Sequence, residues 1–113
     1  MITLAVSLLL AGCTIVGTPG DDVLWGTRGN DVICGLGGND SLDGGLGRDI
    51  IWGGTGDDRL DGGAGSDTVY AGPGADQMWA WDGTADKLDG GRGIDRAWAD
   101  RLDRLWYVER LAR

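Results

Sequence analysis

From Gly17 to Trp79 the chain writes one nine-residue phrase seven times without a gap: GTPGDDVLW, GTRGNDVIC, GLGGNDSLD, GGLGRDIIW, GGTGDDRLD, GGAGSDTVY and AGPGADQMW. The next block, AWDGTADKLD at 80–89, has one extra residue between Gly83 and Asp86, and GGRGIDRAW at 90–98 restores the nine. Every block holds Gly at its fourth place and Asp at its sixth, or the seventh in the lengthened block. All but the last put Leu, Ile, Val or Met two places after that Asp; Ala97 is the exception. Such a period confines a chain to stacked copies of one supersecondary unit. It also rescues a composition that would otherwise read as disorder, since 23 of the 113 residues are Gly and the net charge is −8. Glycine is entropically costly to order and has no side chain to bury. The length allows one small domain. The acidic balance argues against nucleic acid, because gripping phosphates takes a Lys/Arg surface, and makes a cation the natural partner.

The blocks resemble the RTX, or hemolysin-type calcium-binding, nonapeptide G-G-x-G-x-D-x-U-x, in which U is a large aliphatic residue. The resemblance covers about three quarters of the chain. It implies an all-β fold: a parallel β-roll, a right-handed solenoid with calcium between its turns. It also implies that such rolls sit behind toxin, protease, lipase or epimerase domains and assist secretion.

Elementary chemistry makes sense of that fold. Six residues with two or three glycines close a tight loop, because Gly reaches positive φ without a steric penalty. The remaining three form a strand whose central residue points inward. Leu24, Ile33, Leu42, Ile51, Leu60, Val69, Met78, Leu88 and Ala97 therefore stack as a narrow core. Two blocks make one coil, so Asp22, Asp40, Asp58, Asp76 and Asp95 line one edge and Asp31, Asp49, Asp67 and Asp86 the other. Stacked carboxylates repel and need a cation between them. Calcium suits, taking six to eight oxygens in flexible geometry from these Asp side chains and the loop backbone at Gly20, Gly29, Gly38, Gly47, Gly56, Gly65 and Gly74. Magnesium demands a rigid octahedron, and zinc wants His or thiolate. Four gaps on one edge and three on the other allow up to seven ions.

Departures from the consensus weaken particular loops. Thr18, Thr27 and Leu36 replace the second Gly of the first three blocks, Ala71 and Ala80 replace the first, and Trp81 stands for the second in the lengthened block, making the Asp86 loop the least secure site. Arg48 and Arg92 lie in loops, where they either compete with metal or point to solvent.

The ends read differently. Residues 1–16 hold an apolar run too short for a bilayer and fit an export signal or an N-terminal cap. Leu10, Ala11, Gly12 and Cys13 resemble a lipoprotein signal, which would anchor the chain to a membrane at Cys13; alternatively Cys13 pairs with Cys34. Both readings place the protein outside the cytoplasm, secreted or at the cell surface. Residues 17–98 are the roll, and 99–113 cap its last coil. The cap fits either a strand around Leu105 to Val108 or a helix through Leu102, Leu105, Val108 and Leu111 or Ala112.

No catalytic constellation stands out. There is no His and no nucleophile beside a base; of the carboxylates that could be imagined as a hydrolase pair, Asp43 and Asp61, or Asp82 near Trp81, the first two read as solvated strand-surface residues. The sequence therefore reads as a non-enzymatic, exported calcium-binding protein that folds with its metal and serves a structural or adhesive role. The alternative is an accessory or truncated C-terminal module of an RTX enzyme or toxin. One outer face collects Val32, Cys34, Ile50, Trp52, Thr68 and Tyr70, a stripe suited to self-association or a partner domain through Trp52 and Tyr70; the other collects Val23, Trp25, Ser41, Asp43, Arg59, Asp61, Gln77 and Trp79.

Overall fold

The computed structural model describes residues 12–108 and 110–112. Among them the chain forms twelve short strands: β1 Ile15–Val16, β2 Val23–Trp25, β3 Val32–Cys34, β4 Ser41–Asp43, β5 Ile50–Trp52, β6 Arg59–Asp61, β7 Thr68–Tyr70, β8 Gln77–Ala80, β9 Lys87–Asp89, β10 Arg96–Ala99, β11 Arg104–Trp106 and β12 Arg110–Ala112. Successive strands go to opposite sheets. One sheet runs β1-β3-β5-β7-β9-β11 and the other β2-β4-β6-β8-β10-β12, every pairing parallel. The result is a parallel β-roll.

Register follows the blocks. Ile33, Ile51, Val69 and Leu88 are opposite one another along one sheet, and Leu42, Leu60, Met78 and Ala97 along the other. All eight are buried, while Leu24 packs partly buried at the first coil. A one-residue slip in any strand would move its aliphatic residue outside, so burial itself enforces the period.

Both ends extend the roll beyond the recognised blocks. Ile15 and Val16 pair with Ile33 and Cys34, so the first coil begins before Gly17. Cys13 is disulfide-bonded to Cys34, with the α-carbons 6.0 Å apart; this pairing excludes a lipid at Cys13. The apolar run at 1–11, with Leu10 and Ala11 of the lipoprotein-like stretch, lies outside the described residues. At the other end the strand reading of the cap prevails over the helix. β11 pairs with β9 and β12 with β10, so the tail adds one more rung to each sheet and covers the last regular coil.

Two rings of the first outer face stack: Trp52 and Tyr70 lie with ring centroids 4.2 Å apart and planes 17° from parallel. The opposite face has a pair of its own, Trp79 and Trp98, at 4.7 Å and 2°. Both outer faces therefore carry a stacked aromatic pair.

Candidate metal centre

The sixth-place aspartates form two ladders at the edges of the roll. On one edge the Asp22 N–H donates to Asp40 Oδ1 at 2.8 Å, Asp40 N–H to Asp58 at 2.9 Å, Asp58 N–H to Asp76 at 2.7 Å and Asp76 N–H to Asp95 at 2.8 Å. On the other, Asp31 N–H reaches Asp49 at 2.7 Å, Asp49 N–H reaches Asp67 at 2.8 Å, and Asp67 N–H reaches Asp86 at 2.6 Å. The structure thus brings together all nine expected carboxylates, four gaps on one edge and three on the other. It adds a tenth, because Asp86 N–H donates to Asp103 Oδ1 at 2.9 Å. The signal was present in Asp103-Arg104-Leu105-Trp106, which copies the second half of a block; the missing glycines hid it.

From Asp40 and Asp49 onward, one oxygen of each ladder carboxylate serves the backbone of the preceding coil, and the other decides the chemistry. Among the described residues, Oδ2 of Asp40, Asp49, Asp58, Asp67, Asp76 and Asp86 is buried with no hydrogen-bond partner. These side chains are at most 2% exposed. Beside them, first-place glycines leave a cradle that a methyl group would fill. A β-carbon on Gly35 would lie 2.6 Å from Asp40 Oδ2 and 2.7 Å from the Gly53 carbonyl oxygen; on Gly53 it would lie 2.8 Å from Asp58 Oδ2 and 2.7 Å from the Ala71 carbonyl oxygen. Orphaned carboxylate oxygens converging with backbone carbonyls are an all-oxygen donor set, which fits calcium. Fourth-place Gly38, Gly47, Gly56, Gly65 and Gly74 all adopt positive φ, 84° to 123°, as the tight loops require.

The first two loops are built differently. Thr18 donates its N–H at 2.7 Å and its hydroxyl to Asp22, and Thr27 donates its N–H at 2.6 Å and its hydroxyl to Asp31. Gly20 and Gly29 then donate back to those hydroxyls at 3.2 and 3.1 Å. Both carboxylates expected to hold metal here are satisfied by protein, so threonine at the second place supplies the donors that other loops lack. Leu36, the third substitution, keeps the glycine conformation at φ 71°, an uphill geometry for a branched side chain. A second ladder at the fifth place escaped the sequence reading: Asp21 accepts from Asn39 N–H, Asn39 from Asp57 N–H, and Asp57 from Ala75 N–H, at 2.7 to 2.9 Å. Arg48 and Arg92 are exposed.

Electrostatics agree with a missing counter-charge. Burial, the largest effect, raises Asp67 and Asp76 to about 8, Asp58 and Asp86 to about 7 and Asp40 to about 6, and lifts Asp49 as well. The donated N–H groups pull the other way, and neighbouring aspartates push upward again. A divalent cation would relieve both the burial and the repulsion.

The profile of the RTX calcium-binding nonapeptide repeat matches residues 14–42, 43–78 and 52–85. No curated protein matches the chain. Its fold is similar to the solution structure of the AlgE6R3 subunit of the mannuronan C5-epimerase from Azotobacter vinelandii, at 36% identity and a TM-score of 0.56. The match covers 69% of this chain and 49% of that one, so the chain spans about half the length of that subunit. Periodic sequence, parallel roll, carboxylate ladders and an oxygen donor set suited to Ca2+ agree, and the chain belongs to the RTX calcium-binding nonapeptide repeat family.

Proposed function

We propose that the chain is an extracellular calcium-binding protein whose folding is coupled to Ca2+ and whose role is structural or adhesive. The carrying observation is the set of buried Oδ2 atoms without partners. A buried carboxylate left uncompensated costs several kcal/mol, and a narrow core of one aliphatic residue per strand has little to set against several of them. Calcium contributes the missing interaction, so binding free energy becomes folding free energy. The Cys13–Cys34 disulfide supports an oxidising compartment. Adhesion has a candidate surface in the stacked Trp52–Tyr70 pair and the groove beside it, lined by Cys34, Leu36 and Pro73. The test is a calcium titration in chelator-buffered solution followed by circular dichroism: a disordered spectrum should convert cooperatively to a β spectrum. A folded spectrum in excess chelator at pH 8 defeats the coupling.

The reading assigns the chain no catalysis of its own. Asp43 and Asp61 lie on an outer sheet face and accept the N–H groups of Gly45 and Gly63. Desolvation, and then Asp43 and Asp82, raise the Asp61 carboxyl from its ordinary value, although the side chain stands exposed on the sheet face. The second reading, an accessory module of an RTX enzyme or toxin, is favoured by the likeness to a subunit of an epimerase. Co-purification of a catalytic chain with the calcium-loaded roll would support it.

A further inference from the structure

The lengthened block disturbs one gap. Elsewhere the first-place N–H reaches the strand end of the next coil closely, as in Gly44 to Asp61 and Gly53 to Tyr70, both 2.8 Å; from Gly62 to Trp79 the bond stretches to 3.4 Å. A β-carbon on Gly62 would have three Asp67 atoms as its nearest neighbours, at 2.5, 2.8 and 3.0 Å, whereas the same position on Gly35 or Gly53 meets a carbonyl of the next coil at 2.7 Å. The Ala80 carbonyl is not among those nearest atoms; it accepts the Asp82 N–H at 3.0 Å.

A carboxylate arrives instead. One oxygen from each of Asp67, Asp82 and Asp86 lies within 4.8 Å of the other two. Asp82 belongs to neither ladder; it stands at the third place of the lengthened block, exposed, where its Oδ1 accepts the Thr84 N–H at 2.8 Å and hydroxyl at 2.6 Å. Asp67 and Asp86 are each 2% exposed, and Oδ2 of each has no hydrogen-bond partner among the described residues. Three carboxylates converge where regular gaps pair two with backbone carbonyls.

We propose that Asp67, Asp82 and Asp86 form a distinct tricarboxylate calcium site, tighter than the regular gaps of the roll. Among oxygen sites, affinity for calcium rises with the count of charged ligands, and Asp82 adds a third carboxylate to a gap whose Ala80 carbonyl already serves the Asp82 N–H. The inference rests on the calcium-binding reading of the roll. It reverses the sequence expectation that the Asp86 loop is the least secure, because the insertion that spoils the consensus also delivers Asp82.

The test is calorimetric calcium titration of the full chain, its Asp82→Asn variant and an Asp43→Asn control. Asparagine keeps an Oδ1 for the Thr84 turn and removes only the charge. The parent and the control should superimpose, and Asp82→Asn should need more calcium, with an overall affinity about tenfold weaker summed over its equivalents. An Asp82→Asn isotherm superimposed on the parent's overturns the tricarboxylate site alone; a parent that binds no calcium overturns the reading of the whole roll as well. Should Asp82→Asn not fold at saturating calcium, crystals of the parent grown with Tb3+ decide. Anomalous density among the three carboxylates supports the site, and density confined to the regular gaps refutes it.

Discussion

Leu60→Ala measures how many ions share one folding transition. Leu60 is fully buried in β6, level with Leu42 on one side and Met78 on the other, midway along its sheet. Truncating it removes three carbons from a core one residue wide and costs about 3 kcal/mol. Were folding linked to one ion, calcium would have to rise about 160-fold to restore the loss. The ladders, with Asp103 included, instead offer eight gaps. With six or seven ions tied to one transition, the same loss is offset by only about a twofold rise in the midpoint calcium concentration. Two assays on one variant give both quantities: denaturant unfolding at saturating calcium for the stability loss, and circular dichroism against free calcium for the midpoint. A 3 kcal/mol loss with a midpoint shift beyond about tenfold would refute the many-ion coupling.

Four further outcomes are expected. Because burial raises the folded-state values of the ladder carboxylates above 3.8, their contribution to the metal-free roll is fully present below about 3.8 and is lost as pH rises through about 6 to 8; the chelated chain should therefore gain β signal on going from pH 8 to pH 5.5. Thr27→Val removes the hydroxyl that serves Asp31 and should lower the stability of the calcium-loaded roll by about 1–2 kcal/mol, read from denaturant midpoints. Reducing the Cys13–Cys34 bond, which spans 21 residues, should cost roughly 3 kcal/mol, measured as a lower thermal midpoint at fixed calcium. Replacing Trp52 and Tyr70 with Thr should leave the calcium titration intact while abolishing any self-association seen by sedimentation; an unchanged association constant removes the adhesive role of that face.

Much of this molecule was determined by its sequence alone, because a nine-residue period couples three requirements that no other fold meets together. Glycine at the fourth place permits the tight loop, the aliphatic residue two places after Asp needs an inward strand position, and Asp recurs at each edge, so the strands, their register and the carboxylate ladders were legible from Gly17 to Trp98. The ends were less legible, because pairing by backbone hydrogen bonds does not need the motif: Ile15–Val16 joins its sheet unannounced, and for the tail the sequence left a strand and a helix open where Arg104–Trp106 forms a strand. Tertiary structure also decided which carboxylates find a protein partner for both oxygens. Asp22 and Asp58 occupy the same place in their blocks, yet Thr18 satisfies one while the other keeps a buried oxygen without a partner. The insertion before Asp86 read as a defect until the fold placed Asp82 beside Asp67, fifteen residues away in the chain. Periodicity specifies what repeats; the donors and charges that reach a given oxygen come from the coil above or below, and only the stacked structure brings them there.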